Sequence, residues 1–300
     1  MAFDLEMEEY YDELELRKNS KRCLVTGGAG FVGTNLVKRL VNDGHDVIVF
    51  DNYSTGFRTN QIDGARYGDV DIRESFTNWN EKVDIVFHLA ALPRIKPSFE
   101  NPTEVVDVNV KGTANVLEYA RKNKANVVYA GSSSFWGGVY KNPYTFTKYQ
   151  GEELCKMYEN IYGLGVTICR FYNVYGDYMP TDGEYRTLLP IFLKQHKNNE
   201  PLTITGDGEQ RRDFTHVDDI VDAMIRIINL NKWGSVYELG RGKNYSVNEV
   251  ADMFGGKKVY IEPIPGEVRD TLCKSVLARD KLRWNPKINL EEWIKNEIQK

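Results

Sequence analysis

The sequence predicts an α/β fold of the doubly wound type, in which helices cover both faces of a parallel sheet, with a smaller C-terminal lobe. Two observations support this prediction. Apolar strand-like runs alternate with helical segments from residue 22 to about residue 171, and a glycine-rich turn follows the first of these strands. Nearly continuous apolar strands are typical of a sheet that is buried on both faces. Ligands of such a fold bind at the carboxyl ends of the strands.

The first half of the chain supplies strands and helices in strict alternation. Strands are predicted over 23–25, 46–50, 84–88, 126–129 and 166–171, and helices over 31–40, 106–121 and 144–162. Beyond residue 171, clusters of proline and glycine divide the chain into shorter elements, among which 217–229 and 246–254 have helical patterns. Ser246 is a candidate N-cap and Glu249 its partner in a capping box.

This organisation predicts three parts. Residues 1–20 form an acidic N-terminal extension, which is either a surface appendage or an arm that docks a partner. Residues 21–175 form the nucleotide-binding domain. Residues 176–300 form mainly a substrate-binding lobe, with some segments returning to the sheet.

Composition and charge exclude several classes of function. The 300 residues are 41% hydrophobic and carry a formal net charge of -4, so the chain lacks the basic excess that a nucleic-acid partner requires. An apolar run of membrane-spanning length and a basic export signal are both missing from the sequence, so a cytoplasmic protein without a membrane partner is expected. Four scattered cysteines predict buried thiols and no metal site; they are Cys23, Cys155, Cys169 and Cys273.

The most informative segment is the turn between the first strand and the first helix. It reads T-G-G-A-G-F-V-G over 26–33. Glycine lets the backbone approach a pyrophosphate closely, and the helix N-terminus that follows presents unpaired N–H groups to this anion. Asp51 ends the second strand, eighteen residues after Gly33. A carboxylate there accepts hydrogen bonds from an adenosine ribose, so the pattern predicts a Rossmann domain that binds NAD in preference to NADP.

A second pattern lies at the start of the helix over 144–162. Tyr144 and Lys148 are separated by one helical turn and therefore share a face. An unperturbed phenol has a pKa of about 10, and a nearby cation lowers it by stabilising the phenolate. Taken alone, a tyrosine and a lysine at this spacing usually lie on the surface without a function. Here, however, the preceding strand ends at Ser132, Ser133 and Ser134. A hydroxyl, a phenol and an ammonium are thus predicted to converge at the nicotinamide.

Together these residues resemble the extended short-chain dehydrogenase/reductase family, in particular its nucleotide-sugar epimerases and dehydratases. The motifs occur in the family's order across nearly the whole chain. They are T-G-G-A-G-F-V-G at 26–33, D-N-Y-S-T-G at 51–56, H-L-A-A at 88–91, the serine run, Y-T-F-T-K at 144–148, R-F-Y-N-V-Y-G at 170–176 and G-D-G-E-Q-R-R-D-F-T-H-V-D-D at 206–219. The implied partner is a nucleotide-diphosphate sugar, and many relatives are homodimers through helices equivalent to 103–122 and 144–162.

The resemblance assigns residues to NAD and to the sugar nucleotide. The implied cofactor residues are Gly27, Gly30, Phe31, Val32, Gly33, Asp51, Asn52, Ser54, Thr55, Gly56, Asp69, Val70, Leu89, Ala90, Ala91, Tyr144, Lys148 and Tyr172. The implied catalytic residues are Ser132, Tyr144 and Lys148, and the implied substrate residues are Ser133, Asn173, Thr203, Arg212 and Arg269. Asn173 could instead satisfy a local turn, and Arg211 could take the place of Arg212.

The implied reaction is epimerisation at C4 through a transient 4-keto sugar. Tyr144 removes the hydroxyl proton while NAD accepts the hydride and later returns it to the other face. A 4,6-dehydratase of the family carries a Thr-Asp-Glu triplet where this chain has three serines, so an epimerase is favoured. A dehydratase, decarboxylase or reductase of the family remains an alternative, and so does a non-catalytic NAD-binding protein.

The chain departs from the family in two places that bear on specificity. The loop between the serine run and Tyr144 is short, and an arginine usual before Pro265 is replaced by Ile264, with Arg269 as a possible substitute. The sequence therefore leaves the identity of the sugar and of the nucleotide open.

Overall fold

The computed structural model describes residues 20–76, 79–183, 186–263 and 268–300. The predicted N-terminal extension, except Ser20, and the segment from Ile264 to Glu267 lie outside these residues. The strands are β1 (Arg22–Thr26), β2 (Asp46–Asp51), β3 (Arg66–Asp69), β4 (Ile85–His88), β5 (Asn126–Ser132), β6 (Val166–Phe171), β7 (Val174–Tyr175), β8 (Leu202–Thr205), β9 (Arg211–Asp213), β10 (Thr215–His216), β11 (Val236–Leu239), β12 (Asn244–Ser246) and β13 (Lys258–Ile261).

Helices occupy the connections between most of these strands. They are α1 (Phe31–Asn42), α2 (Ile95–Glu100), α3 (Pro102–Val106), α4 (Thr113–Asn123), α5 (Pro143–Tyr162), α6 (Leu188–Lys197), α7 (Val217–Asn229), α8 (Val247–Phe254), α9 (Leu277–Leu282) and α10 (Leu290–Glu297). A π-helical turn (Asp107–Gly112) joins α3 to α4, and short 3-10 turns cover Arg58–Asn60 and Ser133–Gly137. Among the described helices, none is both long and apolar enough to cross a membrane.

A parallel sheet of seven strands forms the centre of the described structure, in the order β11-β6-β5-β4-β1-β2-β3. Successive residues of β1 face opposite sides of it. Val25 packs with α1 and α7, whereas Leu24 packs with α4 and α5. A side-chain period of two explains this division, because neighbouring residues of a strand point to opposite faces. The predicted doubly wound α/β fold is therefore confirmed.

The C-terminal part of the chain contributes both to this sheet and to a separate core. Strand β11 lies parallel to β6 at the edge of the sheet. A third hydrophobic cluster brings α6, α8 and α10 together through Phe192, Phe254 and Leu290. Residues after 176 thus supply most of this third cluster and also return a strand to the sheet, and the division of the chain into two domains stays a prediction.

Most predicted elements occur where the sequence indicates, and some bounds differ. The 217–229 helix is α7 to the residue, and both hydrogen bonds of the Ser246 and Glu249 capping box are present. The predicted helix over 106–121 is wrong in its bounds. It begins four residues earlier at Pro102, because proline is favoured at a first helical position, and a π-helical turn interrupts it. The edge strand β3 was not predicted, since Arg66 to Asp69 contain no apolar run.

Candidate active site

A large cavity of about 780 Å³ opens at the carboxyl ends of the central strands. It extends from the glycine turn after β1, past the ends of β4 and β5, to strands β8 and β9 of the C-terminal lobe. This size suits an organic ligand of considerable length. Its position is the one that the doubly wound fold predicts for a ligand.

Steric contacts require glycine in the turn between β1 and α1. Gly27 has a φ of +74°, and a Cβ on it would lie 2.7 Å from the backbone nitrogen of Ala90. A Cβ on Gly33 would lie 2.1 Å from the carbonyl oxygen of Gly27. The turn is therefore packed tightly on both sides, and the N-terminus of α1 opens beside it, with Gly30 as N-cap. A helix N-terminus exposed at a glycine cradle fits the pyrophosphate of a dinucleotide.

Asp51 holds this turn in place. Its buried carboxylate accepts hydrogen bonds from the backbone nitrogen of Ala29 at 2.9 Å and from that of Tyr53 at 2.8 Å. The side chain also lines the cavity. A carboxylate oxygen can accept more than one hydrogen bond, so the predicted contact with a ribose hydroxyl is compatible with this role in the turn.

Most of the predicted cofactor residues line the cavity. They are Gly27, Gly30, Phe31, Val32, Gly33, Asp51, Asn52, Ser54, Thr55, Val70, Leu89, Ala90, Ala91, Tyr144 and Lys148. Three others lie outside this lining. Gly56 packs behind the turn against Ala29, the side chain of Asp69 forms an ion pair with Arg58, and the Tyr172 hydroxyl donates to Glu238 at 3.1 Å.

The predicted catalytic residues come together at the centre of the cavity. Ser132 ends β5, and Tyr144 lies in the first turn of α5, where Asn142 caps the helix by accepting from Thr145 at 2.8 Å. The Tyr144 hydroxyl donates to the Ser132 Oγ at 3.2 Å. The buried Lys148 follows one turn later, with its Nζ 4.4 Å from the centre of the Tyr129 ring. All three side chains line the cavity, as one site requires.

Burial controls the protonation of these groups. It raises the pKa of Tyr144 above its usual value, while the Ser132 hydrogen bond and the positive charge of Arg94 act in the opposite direction. Burial lowers the pKa of Lys148 to about 8, against the opposing charge of Glu152. Tyr144 is therefore a neutral phenol near pH 7, and additional positive charge beside it is needed to make it a base.

Four of the five predicted substrate residues line the same cavity. Ser133, Asn173, Thr203 and Arg212 line it, whereas Arg269 forms a bidentate ion pair with Asp207 and lies outside the lining. Arg211 is held elsewhere, by Asn244 and Glu249. Neighbouring residues of β9 face opposite sides, and this explains why Arg212 alone of the pair reaches the cavity.

Asn173 has a structural role in addition to its place in the lining. Its amide nitrogen donates to the carbonyl of Asp213 at 3.1 Å and to Thr271 Oγ1 at 3.2 Å. Its φ of +23° agrees with the alternative that it satisfies a local turn. Contact with a substrate stays a prediction for this residue.

The structure adds residues that the sequence patterns do not indicate. Arg94 lines the cavity, and so does Ser134 of the serine run, whose Oγ lies 2.9 Å from Ser132 Oγ. The buried Asn109, in the π-helical turn, donates to Thr147 of α5 at 3.1 Å. A π-helical turn often marks a functional site, but its position depends on tertiary packing and leaves no sequence signal.

The four cysteines are buried thiols as predicted. Within the described ranges, no cluster of three or more His, Cys, Asp or Glu side chains could hold a metal ion.

Comparison with known proteins agrees with this geometry. Residues 23–240 match the model of the family described as the NAD dependent epimerase/dehydratase family. The chain is 36% identical to a putative UDP-glucose 4-epimerase of Methanocaldococcus jannaschii, over 92% of this chain and 96% of the relative.

Solved structures show the same similarity. An epimerase from Methanothermobacter thermautotrophicus superposes with a TM-score of 0.88 at 31% identity, over 95% of this chain and 93% of the other. A UDP-glucuronic acid 4-epimerase from Bacillus cereus, in complex with UDP-glucuronic acid and NAD, gives a TM-score of 0.85 at 26% identity, over 93% of this chain and 98% of the other.

Proposed function

Because the chain belongs to the NAD-dependent epimerase/dehydratase family, we propose that it is an NAD-dependent epimerase that inverts C4 of a nucleotide-diphosphate sugar. The hydrogen bond of 3.2 Å from the Tyr144 hydroxyl to Ser132 is the observation that carries this proposal. It lies in the same cavity as the glycine turn and Arg212. The names of the relatives favour UDP as the nucleotide.

Each side chain has a role that follows from its chemistry. Tyr144 in its ionised form takes the proton of the C4 hydroxyl, and Ser132 hydrogen-bonds to that hydroxyl. The ammonium of Lys148 favours the ionised phenol and binds the nicotinamide ribose. Arg212 binds the diphosphate, because a planar guanidinium can donate to two phosphate oxygens at once. NAD, when bound, supplies reversible acceptance of a hydride.

The serine run favours epimerisation over loss of water. Elimination needs an acid and a base near the carbon atoms that lose the hydroxyl and the proton. The three residues that follow Gly131 into the cavity are Ser132, Ser133 and Ser134, which carry hydroxyls and no carboxylate. The serine run therefore supports a dehydratase or decarboxylase less well than an epimerase, and these activities are the second candidate.

We expect one member of a panel of UDP-, dTDP-, GDP- and CDP-sugars to be converted to its C4 epimer. The purified protein is incubated with each sugar without added NAD, products are identified by NMR, and nicotinamide is followed by its absorbance. Conversion without net formation of NADH supports an epimerase, because the hydride returns to the sugar. Carbon dioxide release identifies a decarboxylase, and a stable keto sugar a dehydratase. A panel left unchanged by protein that holds NAD contradicts the proposal.

We also propose that the protein is a homodimer. Val106, at the end of α3, and Ile161 and Tyr162, at the end of α5, expose 43%, 64% and 52% of their surface. The inner faces of α4 and α5 cover the sheet through Leu117 and Cys155, so these exposed side chains are available for a second copy. A location in the cytoplasm stays a prediction.

Sedimentation velocity tests the dimer. Wild-type protein is expected at about twice the 34.5 kDa of one chain. Ile161→Lys is expected to shift it toward the monomer, since a buried, unpaired charge at the interface is costly. Val259→Lys, which places the same charge on an exposed apolar position of β13, is the matched control. A monomeric wild-type protein contradicts the proposal.

A further inference from the structure

Arg94 lies at the entrance to α2 and lines the cavity that Tyr144 also lines. The segment before it is fixed by Asn109, which accepts from the backbone nitrogen of Leu92 at 2.8 Å and donates to the carbonyl of Leu92 at 3.2 Å. Asn109 is itself buried and also donates to Thr147 of α5. The backbone that carries Arg94 is therefore tied to the helix that carries Tyr144.

A second link joins α2 directly to Tyr144. The fully buried Ser98 accepts from the backbone nitrogen of Tyr144 at 3.1 Å and donates to the carbonyl of Ile95 at 2.6 Å. The segment from Leu92 to Ser98 is thus held at both ends against α5. This arrangement keeps Arg94 at a defined position relative to the phenol.

The groups around Tyr144 and Lys148 come from four elements. Their own helix carries Glu152, β4 brings His88 near Lys148, and β5 brings Tyr129 and Ser132 near Tyr144. The segment before α2 brings Arg94, whose charge lowers the pKa of Tyr144. Burial lowers the pKa of His88 to about 3, so this imidazole is neutral near pH 7 and adds no charge.

Arg94 differs from Lys148 in the pH range over which it stays charged. Burial lowers the pKa of Lys148 to about 8, so its ammonium loses its proton in mildly alkaline solution. A guanidinium stays protonated throughout this range. Arg94, whose charge lowers the pKa of Tyr144, therefore stays positive at a pH where Lys148 loses its proton.

We propose that Arg94 is a positioning residue for the reaction, a second cation that acts through Tyr144 by stabilising its negatively charged form. The inference deepens the proposed function and rests on Tyr144 being the base. Arg94 does not transfer a proton itself, because a guanidinium is not deprotonated in proteins.

The test measures the ionisation of Tyr144 directly and does not depend on turnover. Protein labelled with 3-fluorotyrosine, and saturated with NAD, is titrated by fluorine NMR; ring fluorination brings phenol ionisation closer to neutral pH. The signal that is missing from Tyr144→Phe identifies Tyr144. Arg94→Met is expected to raise its apparent pKa by about one unit, since an opposite charge nearby shifts a titration by this order. Arg94→Lys is expected to keep most of the wild-type value.

Lys96→Met is the matched control, because Lys96 is an exposed cation in the same segment that also lines the cavity. It is expected to leave the titration of Tyr144 unchanged. An unchanged titration in Arg94→Met, or an equal rise in Arg94→Met and Lys96→Met, overturns the proposal. If no sugar of the panel is converted, the proposed function fails, while the fluorine titration still decides the role of Arg94.

Discussion

Replacement of Tyr144 by phenylalanine is expected to lower kcat by about 10²–10⁴-fold, the usual contribution of a positioned general base. The change removes one oxygen atom, the donor to Ser132 at 3.2 Å, and leaves a ring of the same shape in the first turn of α5. The backbone hydrogen bond from Tyr144 to Ser98 is retained. The variant is therefore expected to fold, to bind NAD and to bind the sugar nucleotide with little change in affinity.

Steady-state kinetics on the sugar converted in the panel, with NAD saturating, measures this loss. Tyr149→Phe is the matched control. Tyr149 lies five residues later on α5, packs against Phe135 with ring centres 6.0 Å apart, and lies outside the cavity lining. A Tyr144→Phe enzyme that retained more than about a tenth of the wild-type kcat would mean that another group removes the proton.

The pH dependence of kcat for the wild-type enzyme should also reflect the ionisation of Tyr144. Burial raises the pKa of free Tyr144 above its usual value, so without added positive charge the base would be available only in strongly alkaline solution. Bound NAD and Arg94 both add positive charge, and this favours the phenolate at lower pH. We therefore expect kcat to rise with pH toward a plateau, and the midpoint of this rise to lie below the pKa of Tyr144 in the NAD-free protein.

The parts of the fold that the sequence predicts well are those whose cause is local. Part of the glycine turn is required by contacts within a few residues, such as that of Gly33 with Gly27, while Gly27 also contacts Ala90 and Asp51 completes the turn from the adjacent strand. The capping box of α8 is likewise contained in four residues. Such patterns can be recognised in a sequence because most of the residues that interact lie close together along the chain.

The parts that the sequence analysis missed depend on contacts between distant segments. Arg94 lines the same cavity as Tyr144 because Asn109 and Ser98 hold its segment against α5, and no local pattern in the segment indicates this placement. Similarly, the sequence predicts that Arg269 contacts the substrate, but in the structure its side chain forms an ion pair with Asp207. The position of Arg212 in the cavity, rather than Arg211, was decided by the register of β9.

Replacement of Arg170 by methionine is expected to destabilise the protein by about 3–5 kcal/mol, the usual cost of removing one partner from a buried ion pair. Arg170 on β6 donates to Glu152 of α5 at 2.7 Å and to Glu238 of β11 at 3.4 Å. The side chains of Arg170, Glu152 and Glu238 are 8%, 2% and 11% exposed. Methionine fills much of the space but leaves two carboxylates in a poorly solvated site with less compensation.

Arg170→Met should also disturb the active site. The Arg170 guanidinium lies 3.7 Å from the centre of the Phe135 ring, and Trp136 donates to Glu238 at 2.7 Å, so the network anchors the turn that follows Ser132.

The midpoint of urea unfolding measures the stability loss, with Lys156→Met as the control. That change breaks an exposed pair with Glu153, for which a loss below about 1 kcal/mol is expected. Adding Glu152→Gln to Arg170→Met should recover part of the stability, because it removes one unpaired charge. Equal losses in Arg170→Met and Lys156→Met would show that the network contributes no more than a surface pair.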